Sequence, residues 1–357
     1  MISDLYAFPP ERLDLNNEIN VQLIMAHRRL AELKGVSPSL PNQDILLNTL
    51  TLQEAKDSSA IENIITTNDD LFKEGLDIPE FSSAAAKEVG RYSEALRCGF
   101  EKISLNNTLT MDDLLEVQRL LVIDPEKQGV RSKPGTVIGN PITGQIFYEP
   151  PQDQGQIIEL LENLLAFFIE EPTPELDPLV RMSLLHYQFE KIHPFYDGNG
   201  RTGRILNLLY MVLHDLLDLP VLYLSRYIIR NKAEYLNLFR QDQPAEGWHS
   251  WLAFMLSGVE LTAAETIQTI HGLRELMEDY KTRIEAEHGK NLGLLNTIFK
   301  HPYTKIEFVM RDLGVTRKTA SNYLEALTTS GFLVKEKIWR SNYYINPPLF
   351  ELLQGKK

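Results

Sequence analysis

Residues 193 to 204 read His-Pro-Phe-Tyr-Asp-Gly-Asn-Gly-Arg-Thr-Gly-Arg. An apolar helix-like segment, Leu179 to Ile192, precedes this run and a second, Ile205 to Leu217, follows it, so the run sits in a helix-loop-helix turn. Gly198, Asn199 and Gly200 fall where the loop becomes a helix, so unpaired backbone N–H groups and the positive helix end face whatever binds there. That is an anion site, most naturally for phosphate. The glycines let phosphate oxygens approach the main chain. Arg201 and Arg204, three apart, share a helix face, and a guanidinium suits bidentate phosphate binding. A nucleotide polyphosphate fits such a site better than a lone anion. Asp197 at its edge could hold Mg²⁺ between itself and the phosphates, and His193 could take a proton from an attacking hydroxyl.

Taken singly, His193 before a proline reads as a cap or core residue, and Asp-Gly-Asn-Gly as a turn. A calcium loop starting at Asp197 is rejected, because its sixth position is Thr202 where glycine is needed and its twelfth is Leu208 where glutamate is needed.

The elements that must position these groups are helical. Residues 1 to about 105 carry helical periodicity, as in Ile19, Leu23, Ile24, His27, Leu30 and Leu33, with Gly35 and Pro38 closing that helix. Thr110 is an N-cap candidate for Met111 to Val122, which Asp124-Pro125 ends. Residues 129 to 151 contain β-prone pieces, Thr136 to Ile138 and Gln145 to Tyr148, around a Gly-Asn-Pro-Ile-Thr-Gly turn, which predicts a small hairpin. It is the one strand signal before residue 330, so a β-sheet enzyme core is not expected. Helices resume from Gln156 to about Glu285, with loops at 171–178 and 241–247, and the polar stretch 284–292 is the linker candidate.

At 357 residues and 43% apolar content the chain has material for two or three domains with a buried core. Its apolar stretches fall short of the roughly 20 residues that span a bilayer, and the N-terminus shows no signal-peptide pattern, which predicts a cytoplasmic protein without membrane contact. The single cysteine, Cys98, excludes a disulfide framework and reads as a buried small residue. The net charge of −13 disfavours nucleic-acid affinity for the chain as a whole. From Lys290 to Lys357, however, eleven Lys or Arg face five acids, so the tail is basic.

Position for position, His193 to Arg204 resembles the signature of Fic-domain proteins, His-Pro-Phe-x-Asp-Gly-Asn-Gly-Arg-x-x-Arg. The resemblance extends over about residues 110 to 255, including the hairpin, which looks like the family's flap. It implies AMP transfer from ATP to a protein hydroxyl. His193 would then be the general base and Asp197 the magnesium ligand; Gly198, Asn199 and Gly200 would cradle the α- and β-phosphates, Arg204 would hold the γ-phosphate end, and Arg201 would buttress the loop. Thr136, Val137, Ile138 and Gly139 would form the flap edge, where a target protein's Tyr, Ser or Thr segment adds as a strand. Tyr235 resembles an aromatic near the nucleotide base, and reads equally as a core tyrosine.

Ser58 to Asn63, Ser-Ser-Ala-Ile-Glu-Asn, is similar to the family's inhibitory pattern, Ser/Thr-x-x-x-Glu-Gly/Asn. Ser58 and Glu62 share a helix face. The resemblance implies that Glu62 pairs with Arg204 and leaves ATP in a non-productive pose, and the same glutamate could align a water for removing AMP. In the tail, Leu294 to Ile298, Lys305 to Leu313 and Thr316 to Thr329 read as helices, with Gly331 to Glu336 and Asn342 to Ile345 as strands. This resembles a winged helix-turn-helix with Arg317, Lys318, Ser321 and Asn322 on the recognition helix, for contact with DNA or protein.

The expected architecture is therefore mainly α. It comprises an N-terminal helical region, 1–109, with the inhibitory helix at about 51–65, a Fic-like helical bundle with its hairpin flap, 110–260, a connecting helix and linker, 261–290, and a winged helix, 291–357. A homodimer is compatible with this reading. The rivals to AMP transfer are a Fic-like phosphotransferase, an enzyme that removes AMP, and a nucleotide-sensing transcription regulator; the intact His193 argues against pure sensing, which needs the cradle but no base.

Overall fold

The computed structural model describes all residues except 1–7, 11, 12, 14, 41, 75–82, 140–143, 174, 241–247, 290, 339, 340 and 355–357. The hairpin tip at 140–143, the 241–247 loop and the basic residues Lys290, Arg340, Lys356 and Lys357 lie outside the described residues.

The chain is mainly helical. In order come α1 (Asn17–Val36), α2 (Asp44–Ile61), α3 (Asn68–Glu74), α4 (Ala84–Asn106) and α5 (Met111–Leu121). The hairpin β1 (Ile138–Gly139) and β2 (Ile146–Tyr148) follows, then α6 (Gln154–Ile169), α7 (Pro178–Ile192), α8 (Asn199–Leu213), α9 (Leu224–Arg230), α10 (Lys232–Arg240) and α11 (Trp248–His288). The tail carries α12 (Leu292–Phe299), β3 (Tyr303–Thr304), α13 (Ile306–Leu313), α14 (Arg317–Thr329), β4 (Val334–Ile338), β5 (Ser341–Ile345) and α15 (Pro347–Leu353).

The ends of these helices are written locally. Thr110 caps α5 in a reciprocal box with Asp113, and Asn16, Ser83, Asp153 and Asp177 each accept a backbone N–H in the first turn of the helix they precede. Along α1 the buried positions are Ile19, Leu23, Ala26, Leu30 and Leu33; Ile24, expected inside, is 67% exposed, because the helix buries only the stripe that faces α11. Cys98, also expected inside, is half-buried. α7 and α8 lie side by side at the centre, α7 being buried along almost its whole length, with α4, α5 and α6 packed around them.

Two expectations change. A strand does occur before residue 330: β3 pairs antiparallel with β5 in a three-stranded sheet of order β3-β5-β4. Its two residues are too short to show alternation, and only the partner strand defines it. The expected linker at 284–292 is largely helix, since α11 runs without a break from Trp248 to His288 and Gly289 ends it at φ 77°. Tyr280 and Ile284 are buried on that helix. The Tyr280 hydroxyl donates to the Phe332 carbonyl and to Asn346 Oδ1, each at 3.0 Å, and so ties the tail to α11.

Candidate active site

α7 stops at His193, whose φ of 47° lies in the left-handed region, and Pro194 follows. A non-glycine residue held there needs support from its surroundings. Arg131 supplies it from outside the motif. Fully buried, it donates Nε to the His193 carbonyl at 2.8 Å and Nη2 to the Ile192 carbonyl at 3.4 Å and to the Pro151 carbonyl. Its backbone N–H donates to the Pro194 carbonyl, and Val130 bridges Phe195. Nothing in the local pattern around Gly-Val-Arg-Ser-Lys marks Arg131 as such a brace.

The loop His193–Gly198 then turns into α8. Gly198 caps the helix at φ 83°, a conformation that favours glycine. The Asn199 side chain is buried and bonds both ways to Phe195, Oδ1 accepting from its N–H and Nδ2 donating to its carbonyl, each at 2.9 Å. Asn199 therefore offers a ligand its helix-end backbone, while its amide shapes the loop. At Gly200 a Cβ would press on Glu62 Oε1 and Arg204 Nη1, so both side chains would have to shift to admit it.

Arg204, 2% exposed, is gripped by Ser58 and Glu62. Nε donates to Ser58 Oγ at 2.8 Å, and Nη2 donates to the Ser58 carbonyl and to Glu62 Oε1, both at 3.0 Å. Burial works to raise the Glu62 carboxyl, but the charge and hydrogen bond of Arg204 outweigh it and hold the group below the ordinary carboxylate range. Asn63, at φ 63°, follows this turn and accepts from Lys232 Nζ at 3.2 Å. Arg201 is equally buried and donates to Glu88 Oε1 at 2.6 Å and to Asp197 Oδ1 at 3.0 Å.

Two cavities open on this arrangement. One, of about 240 Å³, is lined by Ile138, Gly139, Tyr148, Glu190, Arg204 and Tyr235 among others; the second, of about 330 Å³, is lined by Glu88, Tyr196, Asp197, Gly198, Asn199 and Arg201. Glu62, His193 and Gly200 line both, so Glu62 stands at the junction. Burial pushes the His193 imidazole down to about 4, so it is neutral at pH 7 and able to accept a proton. Burial raises the Glu190 carboxyl to about 7; that residue went unnoticed in the sequence because it sits on an apolar helix one turn before the motif.

On the hairpin, β1 covers only Ile138–Gly139 in place of the expected Thr136 to Ile138; the Thr136 carbonyl accepts from Gln152 Nε2 at 2.9 Å instead of a strand partner. Gly139 passes so close to Gln145 that a Cβ would overlap its carbonyl, and Val137 is 46% exposed. Tyr235 is buried, lines the larger aromatic wall of the first cavity, and shares a hydrogen bond of 2.9 Å with His186 Nε2. It thus serves the core and borders the site.

Of the three carboxylates that line the second cavity, Glu62, Glu88 and Asp197, Asp197 is the one on the loop that leads into α8. Asp197 gives Oδ1 to Arg201, while Oδ2 lies 3.9 Å from Lys127 Nζ. Among the described residues no group of three or more His, Cys, Asp or Glu forms a cage. A single carboxylate beside a helix-end anion seat fits Mg²⁺, which keeps waters and substrate oxygens as its other ligands.

Three known families match along the chain. Residues 21–101 match the Fic/DOC family N-terminal region, residues 108–211 the Fic/DOC family, and residues 276–349 the C-terminal domain of protein adenylyltransferase SoFic-like. The chain is similar to protein adenylyltransferase fic-1 of Caenorhabditis elegans, 32% identical over 148 residues that make up 40% of this chain and 27% of that protein. It is also similar to protein adenylyltransferase Fic of Drosophila mojavensis, 32% identical over 100 residues, 28% of this chain and 18% of that protein. The chain thus spans about a quarter or less of the length of these curated relatives. In fold it resembles a Fic family protein from Desulfovibrio desulfuricans G20, with TM-score 0.55 and 21% identity over 94% of this chain and 97% of that one. It likewise resembles C. elegans Fic-1, with TM-score 0.52 and 21% identity over 72% and 73%.

Proposed function

Because this chain belongs to the Fic/DOC family, we propose that it is a protein adenylyltransferase that moves AMP from ATP to a Tyr, Ser or Thr hydroxyl of a target protein, and that Glu62 restrains it. The observation that carries the reading is the meeting of three groups at one junction: the neutral imidazole of His193, the helix-end N–H groups of residues 198–200, and Arg204, occupied by a carboxylate of the same chain.

The phosphates of ATP rest on the α8 N-terminus, where unpaired N–H groups and the helix dipole favour anions. Arg204 holds the γ-phosphate end once Glu62 leaves it. The target hydroxyl attacks the α-phosphorus in line; the new O–P bond forms as the bond to the β-phosphate oxygen breaks, His193 takes the hydroxyl proton, and pyrophosphate departs. Most of the acceleration comes from position and charge stabilisation. Asp197 would hold Mg²⁺, which neutralises charge on the phosphates when bound. Thr136 to Gly139 give an edge against which a target segment lies as an added strand, and Tyr235, with the aromatic wall, borders the base. Residues 291–357 are read as a winged helix for DNA or protein contact. Among the described residues no helix is long and apolar enough to cross a membrane, and a cytoplasmic location is part of this proposal.

The test uses Glu62→Gly protein with Mg²⁺, cell lysate and ATP labelled in turn at the α- and γ-phosphate. Label entering protein from the α-position and absent from the γ-position is expected, and His193→Ala abolishes it. Transfer of the γ-label would replace AMP transfer with phosphoryl transfer.

A further inference from the structure

The pairing of Arg201 is completed from outside the motif. Its guanidinium lies between two carboxylates: Nη1 donates to Glu88 of α4 at 2.6 Å and Nη2 to Oδ1 of Asp197 at 3.0 Å. Arg201 is 2% exposed, so its charge must be answered by these groups. A guanidinium facing one carboxylate tends to take both oxygens in a fork-to-fork pair. Glu88 occupies one half of the fork, and Asp197 faces Arg201 through Oδ1 alone, while its Oδ2 lies 3.9 Å from Lys127 Nζ.

We propose that Glu88 is a positioning residue for the cation site: by sharing Arg201 it fixes the Asp197 carboxylate and keeps Oδ2 out of the guanidinium fork, on the side where Mg²⁺ would displace the more distant Lys127. This deepens the reading of Asp197 as the metal ligand and rests on it. The experiment follows Mn²⁺ binding by the loss of its free-ion paramagnetic signal, with a non-hydrolysable ATP analogue, in Glu62→Gly protein. Glu88→Gln is expected to weaken Mn²⁺ binding on the order of tenfold, as loss of a partner behind a metal ligand does, with Glu88→Asp recovering part of it. In AMP transfer the loss should be made good by raising Mg²⁺, with the KM for ATP at saturating metal unmoved. Unchanged Mn²⁺ affinity in Glu88→Gln, while Asp197→Ala weakens it, overturns the role of Glu88 and keeps the metal reading. Unchanged affinity in Asp197→Ala removes both.

A separate set of contacts carries a second inference. Phe72 of α3, just beyond the Glu62 turn, packs edge-on against His301 and Phe350 of the tail, with ring centroids 5.4 and 5.6 Å away. The Tyr303 hydroxyl donates to Asp69, and α15 packs on α2 itself. The geometry points to the tail as part of the restraint: it presses the end of α2, which carries Ser58 and leads into Glu62, onto Arg204 from behind, and a partner that draws the tail away releases that arginine. Tyr303→Phe and Phe350→Ala should raise AMP transfer to protein several-fold in the wild-type background and leave it unchanged in Glu62→Gly protein. Equal changes in both backgrounds, or none in the wild type, would overturn the coupling.

Discussion

Replacing Glu62 by glycine removes the carboxylate that sits against Gly200 and holds Arg204 Nη2 at 3.0 Å, the arginine proposed to hold the γ-phosphate. A hydrogen bond between charged groups is worth about 1.5–3 kcal/mol. Because each 1.4 kcal/mol is about tenfold in population, the released form should rise by roughly 10- to 150-fold. The Glu62 side chain is 42% exposed, and solvent screening places the expectation near the lower end, about tenfold. Ser58 is untouched by the change and keeps Arg204 in place through Oγ and its carbonyl. The gain should therefore appear as faster transfer by a protein that still folds but melts at a lower temperature, since Arg204 loses its charged partner. The assay is the initial rate of α-labelled AMP incorporation at fixed Mg²⁺, run beside Glu62→Gln, which keeps an oxygen but loses the charge and should fall between the two. A Glu62→Gly rate equal to wild type would refute the competition for Arg204, as would a Gln variant as fast as the Gly variant, since charge would then play no part.

His193 is held at about 4, below its unfolded value of about 6.5, so the acid limb of kcat/KM should lie near pH 4. A midpoint at 6.5 would show that the base is not buried in the working enzyme. Glu54, fully buried and bonded to Ser225 and Tyr92, is raised by burial to about 7; its folded-state proton stabilises the fold below pH 4.5, and that contribution is lost as pH rises through 7. Glu54→Gln should flatten the fall in Tm between pH 5 and 8, measured by thermal melts, and an identical slope in both proteins would remove Glu54 as its cause. Arg131→Ala leaves the carbonyls of His193 and Ile192 without their donor and should cost about 2–3 kcal/mol in denaturant unfolding, together with most of the transfer rate. Stability within error of wild type would mean that the left-handed turn at His193 needs no such brace.

The sequence by itself settled what short spacings settle. The residues from 193 to 204 carry their chemistry in their order, and the helix on either side follows from apolar periodicity and from caps such as Thr110 and Asp177. Ser58 and Glu62, four apart, had to share a face. Tertiary structure decided which distant groups answer each buried charge. Glu88 reaches Arg201 across 113 positions, Glu62 reaches Arg204 across 142, and Arg131 reaches His193 across 62; no local pattern encodes these meetings, because they depend on how α2, α4 and the 129–151 segment pack on α7 and α8. The same holds for β3, two residues defined only by a strand some forty positions on, and for α11, whose polar end stays helical because Tyr280 and Ile284 are buried there. A desolvated charge must find its partner wherever packing brings one, so the site's composition is local while the partners of its buried charges depend on long-range packing.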